Sequence, residues 1–205
     1  MPLDRVLQRE ILRTLHLGSS ARPVVERPNV DAPGIVEEFR GRGDSTMSTD
    51  HPLAKAAMLH LGQVWPRVIG FDDLLRNIGR RGDNAAETGS LLDILLAAYT
   101  AGFIELHTHA PHFALEPGPR PTASPVARLQ LARGSFVASL RHTSVCIEDD
   151  LGRLLLRLMD GTRTPEMLRH DLGVHVSTQP SPVEVSATLV ESKVAEAARL
   201  ALLVA

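Results

Sequence analysis

With 205 residues the chain is long enough for one large domain or two small ones, burying roughly 70% of its unfolded surface. Hydrophobic residues make up 43% and charged residues 22%, an ordinary balance for a globular protein, and a net charge of −2 gives no electrostatic reason to expect nucleic acid. Aromatic residues are only 3%, so the core is built from Leu, Val, Ile and Ala, which favours helices.

In chain order, Leu3, Val6, Leu7, Ile11, Leu12 and Leu15 recur at near-helical spacing, and Pro23, Pro28, Pro33 and Gly34 then mark an extended connector. Ile35–Arg40 is predicted as a short strand. Residues 1–47 thus form an N-terminal arm too small to fold alone, of which residues 1–40 are expected to be poorly ordered, or paired with another subunit, when their natural partner is missing. Ser48, Thr49 or Asp50 can cap a first helix that begins near Pro52 and ends at Trp65-Pro66. Arg67–Gly70 is a short link, and Phe71, Leu74, Leu75 and Ile78 line a second helix. Asp72 and Asp73 sit in its first turn and Arg80-Arg81 at its end, as the helix dipole prefers. A third helix runs from about Ala85 to Thr100, with Leu91, Leu92, Ile94, Leu95, Leu96 and Tyr99 inward and Gly102 as its stop. Phe103–His109 alternates as a strand, and Phe113-Ala114-Leu115 is expected to return as its partner. Three helices closed by a hairpin describe a winged helix over residues 48–118.

Residues 119–205 repeat that order. A short helix covers Val126–Leu131, and Phe136–Ile147 has strand spacing. Asp149-Asp150 opens a helix carrying Leu151, Leu154, Leu155, Leu156, Leu158 and Met159. Thr164 and Pro165 start the next, a loop follows over Gly173–Pro180, and Pro182–Ala205 forms a final amphipathic helix. The expected fold is therefore mainly α with small β-hairpins: two winged-helix-like units in tandem, the second degenerate, behind an extended N-terminal arm.

Chemistry-bearing residues are sparse. The single cysteine, Cys146, excludes an intrachain disulfide, fits a reducing compartment, and reads as a small buried hydrophobe in Val145-Cys146-Ile147. Asp4, Arg5, Arg9, Glu10 and Arg13 interrupt the apolar N-terminus and no run approaches the ~20 apolar residues of a membrane span, so a cytoplasmic protein without membrane partners is expected. His107 and His109 could share one face of a strand near His112, yet no cysteine pair or HExxH completes a zinc site, and no metal is assigned. The third helix of the first unit contains Glu87 and Asp93 and neither Lys nor Arg, which opposes docking in a major groove. The last helix sets Glu184, Glu191 and Glu196 against Lys193 and Arg199, and Arg120, Arg128, Arg133 and Arg141 are spaced as a solvated basic face. No glycine fingerprint for a dinucleotide or methyl donor occurs, so neither a cofactor nor a catalytic residue is assigned.

Several stretches resemble the C-terminal portion of bacterial methyltransferases that carry a regulatory domain, a group that includes protein-lysine methyltransferases. They are Pro2–Arg5, Leu15-His16-Leu17, Ser48–Ala57 (STDHPLAKAA), Gly102–His107 (GFIELH), Arg120–Gln130 (RPTASPVARLQ) and Asp160–Arg163 (DGTR), in order along nearly the whole chain. The resemblance implies a C-terminal winged helix preceded by a regulatory region. The family's S-adenosylmethionine-binding fold comes earlier, which suggests a truncated product or cloned fragment. What it implies functionally is a non-catalytic module that packs on a methyltransferase catalytic domain, or helps hold a protein substrate, with a homodimer as a further option. Asp50, His51 and Lys55 in the Ser48–Lys55 turn, and Arg120, Arg128 and Gln130 in the second segment, put polar groups beside short apolar runs and form the candidate interaction surface. They serve equally well as helix caps and an interdomain linker. The alternative reading is a winged-helix DNA-binding transcription regulator.

Overall fold

A computed structural model describes residues 8–41, 45–79, 84–177 and 184–205. Leu3, Val6, Leu7, the Pro2–Arg5 stretch, Arg80-Arg81, Gly82, Pro180 and Pro182, all used in the sequence reading, lie outside these residues. The chain divides into two compact units, Met1–Ala110 and Pro111–Ala205. It is mainly helical with small antiparallel sheets. No helix among the described residues is long and apolar enough to cross a membrane.

The first described element of the first unit is a 3-10 helix, Arg9–Thr14, where the spacing through Leu15 predicts an α-helix. It stops because Leu17 is needed elsewhere: His16–Gly18 is a strand, β1, with Leu17 fully buried. Arg22–Pro23 (β2), Glu37–Arg40 (β3) and Thr46–Thr49 (β4) form an antiparallel sheet in that order. Helices α1 (Pro52–Val64), α2 (Phe71–Asn77) and α3 (Ala85–Thr100) follow. Ile69–Gly70 (β5) joins α1 to α2, and Glu105–His107 (β6) follows α3.

β6 does not return on itself. β1 lies between β5 and β6 and pairs antiparallel with both, His16 facing Gly70 on one side and His107 on the other. The place beside β6 that Phe113–Leu115 is expected to take as hairpin partner is filled by β1. The expected arm is thus built into the first unit, with Leu12, Leu17, Ala21 and Phe39 in one core with Phe71, Leu74, Leu91 and Leu95. Tyr99, expected inward, is exposed, because the buried stripe of α3 runs through Thr88, Leu91, Leu92, Leu95 and Ala98. The first helix is capped differently too. His51 is its N-cap without a side-chain bond, Pro52 takes the first turn, and Thr49 Oγ1 accepts from the His51 amide at 3.2 Å.

The second unit contains α4 (Pro125–Leu131), the hairpin β7 (Phe136–Ala138) and β8 (Ser144–Cys146), then α5 (Asp150–Leu158), α6 (Pro165–Ser177) and α7 (Ala187–Arg199). Asp149 caps α5, its carboxylate accepting from the Gly152 amide at 2.6 Å. α6 runs through Gly173, where a loop was expected, because Val176 is drawn into the core one turn beyond Leu172. α7 ends at Arg199 rather than continuing, which frees Leu203 to bridge Ala123 while Thr122 bridges Asp160. The Ala114 amide also donates to Leu203, so that segment belongs to this unit. Leu155, Leu156, Leu168, Leu172, Val190, Val194 and Leu202 fill the core.

Candidate docking surface

The six candidate residues separate by unit and by burial. Asp50 and His51 are exposed at the start of α1. Lys55 is no surface residue. It is fully buried, and its ammonium donates to the carbonyls of Ala32 at 2.7 Å and Ile35 at 3.1 Å. The same loop is held from the other side by buried Glu37, whose Oε1 accepts from the Asn29 amide at 2.7 Å. A buried ammonium needs such acceptors, so Lys55 anchors residues 29–35 rather than meeting a partner. In the second unit Arg120 is exposed, and Gln130 turns inward, its Oε1 accepting from the Ala138 amide at 2.8 Å to tie α4 to the hairpin.

Arg128 alone of the six lines a surface groove. The groove, of about 490 Å³, runs between two helical stripes: Pro125, Arg128, Leu129 and Ala132 on the α4 side, Leu154, Arg157 and Leu158 on α5. Both follow i, i+3, i+4 spacing, so each helix presents apolar groups with an arginine between them. Leu129 is 61% exposed and Val126, one turn earlier, 56%. Arg128 Nε donates to the Arg157 carbonyl at 3.2 Å, which steers its side chain across the groove. Among the described residues the lining contains no carboxylate. The sequence reading missed the α5 side because Leu154 and Leu158 look like core. The signal was present: Leu151, Leu154, Leu155, Leu156 and Leu158 cover more of the helix circumference than one buried face needs.

A second cleft, of about 250 Å³, lies between the start of α5 and α7 and is lined by Cys146, Asp149, Leu155, Lys193, Glu196 and neighbours. Lys193 Nζ donates to Asp149 Oδ2 at 2.9 Å and lies 3.9 Å from Glu196. Burial alone would raise the Asp149 carboxyl, but the Lys193 hydrogen bond, the Gly152 amide and the lysine charge outweigh it and hold its pKa below the usual value. The Asp149 hydrogen bond in turn raises the Lys193 ammonium. Charges that satisfy each other leave little to attract a ligand, so this cleft reads as structural. Cys146 on its lip is exposed, contrary to expectation, because β8 belongs to a two-stranded hairpin and points it away from half-buried Val145.

The histidines do not assemble a centre. β6 ends at His107, so His109 falls outside the strand face expected to carry both. His107 Nε2 lies 3.3 Å from Glu105 Oε2 and His109 Nδ1 lies 3.3 Å from Thr108 Oγ1. No three potential metal ligands come together among the described residues. Arg141, grouped with the basic face, is buried.

No curated protein matches the chain in sequence. Two solved structures of PKMT2 from Rickettsia typhi share its fold over 100% of this chain. The one in complex with AdoHcy has 14% identity and a TM-score of 0.75, and the other 13% and 0.77. The chain spans 45% of the length of each. At such identity the likeness shows the fold alone. Residues 119–204 match the family described as PKMT, C-terminal winged helix domain, a span that takes in α4 to α7 and the groove. Over residues 119–204 the chain is thus similar to the C-terminal winged helix domain of the PKMT family.

Proposed function

We propose that the chain is a non-catalytic regulatory or substrate-recognition module of an S-adenosylmethionine-dependent protein methyltransferase, acting on a catalytic domain in cis or in trans. The observation that carries this is the family match over residues 119–204, which falls on a winged helix and not on a methyl-donor fold. The exposed apolar and cationic groove of that domain supports a role in holding protein. Arg128 is assigned to that contact, and the exposed Asp50, His51 and Arg120 to further contacts with the catalytic domain or with a second copy of the chain.

Two measurements test the reading. Titration calorimetry with S-adenosylmethionine should give no binding heat; a micromolar site in this chain would overturn it. Transfer of labelled methyl groups to a protein substrate by a separately expressed PKMT catalytic domain should rise several-fold when the chain is added. An unchanged rate and an unchanged substrate range would remove the module role.

A further inference from the structure

We infer that the α4–α5 groove binds an amphipathic helix whose apolar stripe is flanked by carboxylates. This rests on the reading of the chain as a protein-holding module, and it names the chemistry of what is held. The stripes Pro125/Leu129/Ala132 and Leu154/Leu158 face each other as the two walls of an apolar trough. A trough between helices is the geometry that receives the i, i+3, i+4, i+7 face of a third. Leu129 stands more than half exposed on a helix whose Ala127 and Leu131 already supply the core contact, so an occupant can cover it without disturbing the domain's core.

Charge selects the occupant. Among the described residues, Arg128 and Arg157 are the only charged groups lining the trough. Arg157 is exposed, and the hydrogen bond from Arg128 Nε to the Arg157 carbonyl leaves the Arg128 terminal nitrogens for another acceptor. The acidic residues of α5 are engaged elsewhere: Asp150 pairs with Arg153, and Asp149 with Lys193. A basic helix would meet two like charges over an apolar floor, whereas an acidic one gains two bidentate partners. A nucleic acid would satisfy the arginines but leave the 61% exposed Leu129 and the open sides of Leu154 and Leu158 in water.

The test uses the full chain and a fluorescent helical peptide of about 14 residues with leucines at i, i+3, i+4 and i+7 flanked by glutamates. Anisotropy should show saturable binding that weakens as salt rises. The pair R128E/R157E should weaken it by about tenfold or more, as expected when two charge contacts are reversed. Leu129→Asp should abolish it. Because Leu129 and Arg157 are exposed, melting temperatures should stay within a degree or two of the parent. Equal binding of the peptide with lysines in place of glutamates would overturn the proposal. So would displacement of the acidic peptide by a mixed-sequence DNA duplex, or a dimer in sedimentation that Leu129→Asp converts to monomer. Failure here is separable from failure of the module reading. Stimulated methyl transfer without peptide binding sinks the groove alone, while peptide binding without stimulation sinks the module role alone.

Discussion

The two units solve one topological problem with unequal amounts of sheet. In each, the segment that enters the unit lies in the middle of three antiparallel extended segments. One neighbour follows the first helix of a three-helix set and the other follows the third. In the first unit these are real strands, β5, β1 and β6, with paired residues on both sides. In the second they shrink to single bridges, Asp160 to Thr122 and Ala123 to Leu203. The third helix ends the same way in both. The Gly102 and Phe103 amides donate to Tyr99 and Ala98, and the Ala201 and Leu202 amides donate to Ala198 and Ala197, each bond 2.9 Å. These are Schellman motifs with a positive-φ residue at C′, Gly102 at 78° and Ala201 at 54°. The chain reversal after the third helix is therefore what both units keep. The ladder it leads into can be almost dismantled, because the second unit adds α4 and the β7–β8 hairpin to the same core.

If the first unit depends on its middle strand, Leu17→Ala should be the most damaging change there. Deleting a fully buried leucine costs about 3 kcal/mol. The only Trp and the only Tyr, Trp65 and Tyr99, lie in the first unit, so fluorescence reports its unfolding separately from far-ultraviolet dichroism, which sees both. The fluorescence transition should fall while the remaining dichroism transition holds; a joint shift of equal size would mean the units melt as one. Gly62→Ala is the next strongest. A Cβ there would sit 2.2 Å from the Ala21 carbonyl oxygen, so α1 must back away from the chain leading into β2, at a net cost of about 2 kcal/mol. Lys55→Met keeps the buried stem but strands the carbonyls of Ala32 and Ile35, costing about 1–3 kcal/mol. Hydrogen exchange should then speed up across residues 29–35.

Acid acts on the second unit through carboxyls held low in the folded state. The Thr162 hydroxyl and amide, followed by Arg163, hold the Asp160 carboxyl far below its usual value of 3.8, and Asp149 is lowered as well. A carboxyl depressed in the folded state contributes stability that is complete above its unfolded pKa and is lost as pH falls toward the folded one. The second unit should therefore begin to lose stability below about pH 4, and replacing Asp160 by Asn should flatten that dependence. An acid transition confined to Trp65 fluorescence would contradict this.

What could be read from sequence follows the range of the interactions. Helices α2, α3 and α5 were legible because caps and apolar spacing are local: Asn84 accepts from the Ala86 and Glu87 amides, and Asp149 from Gly152. The place of β1 was not legible, since a three-residue strand carries little pattern and both its partners lie far along the chain. Lys55 was misread for the same reason. A lysine in a helix looks solvated until the loop carbonyls that bury it are known. Half of the groove was legible through Arg128 and its segment. The other half was hidden in a leucine-rich helix, where nothing local marks which apolar residues are surplus to the core.

The smallest effect tests the shared helix ending most directly. At Gly102 the backbone sits at φ 78° with nothing within 4 Å of an added Cβ, so Gly102→Ala costs only the left-handed strain, about 1 kcal/mol. The reverse change, Ala201→Gly, relieves similar strain but removes a buried methyl worth about 0.8 kcal/mol, and the glycine also gains freedom in the unfolded chain. Its net effect should be near zero. A thermal melt in which Ala201→Gly stabilises as much as Gly102→Ala destabilises would mean that the methyl contributes nothing to the second core. A loss as large as that of Gly102→Ala would mean that packing, not the helix-ending geometry, fixes the turn in the second unit.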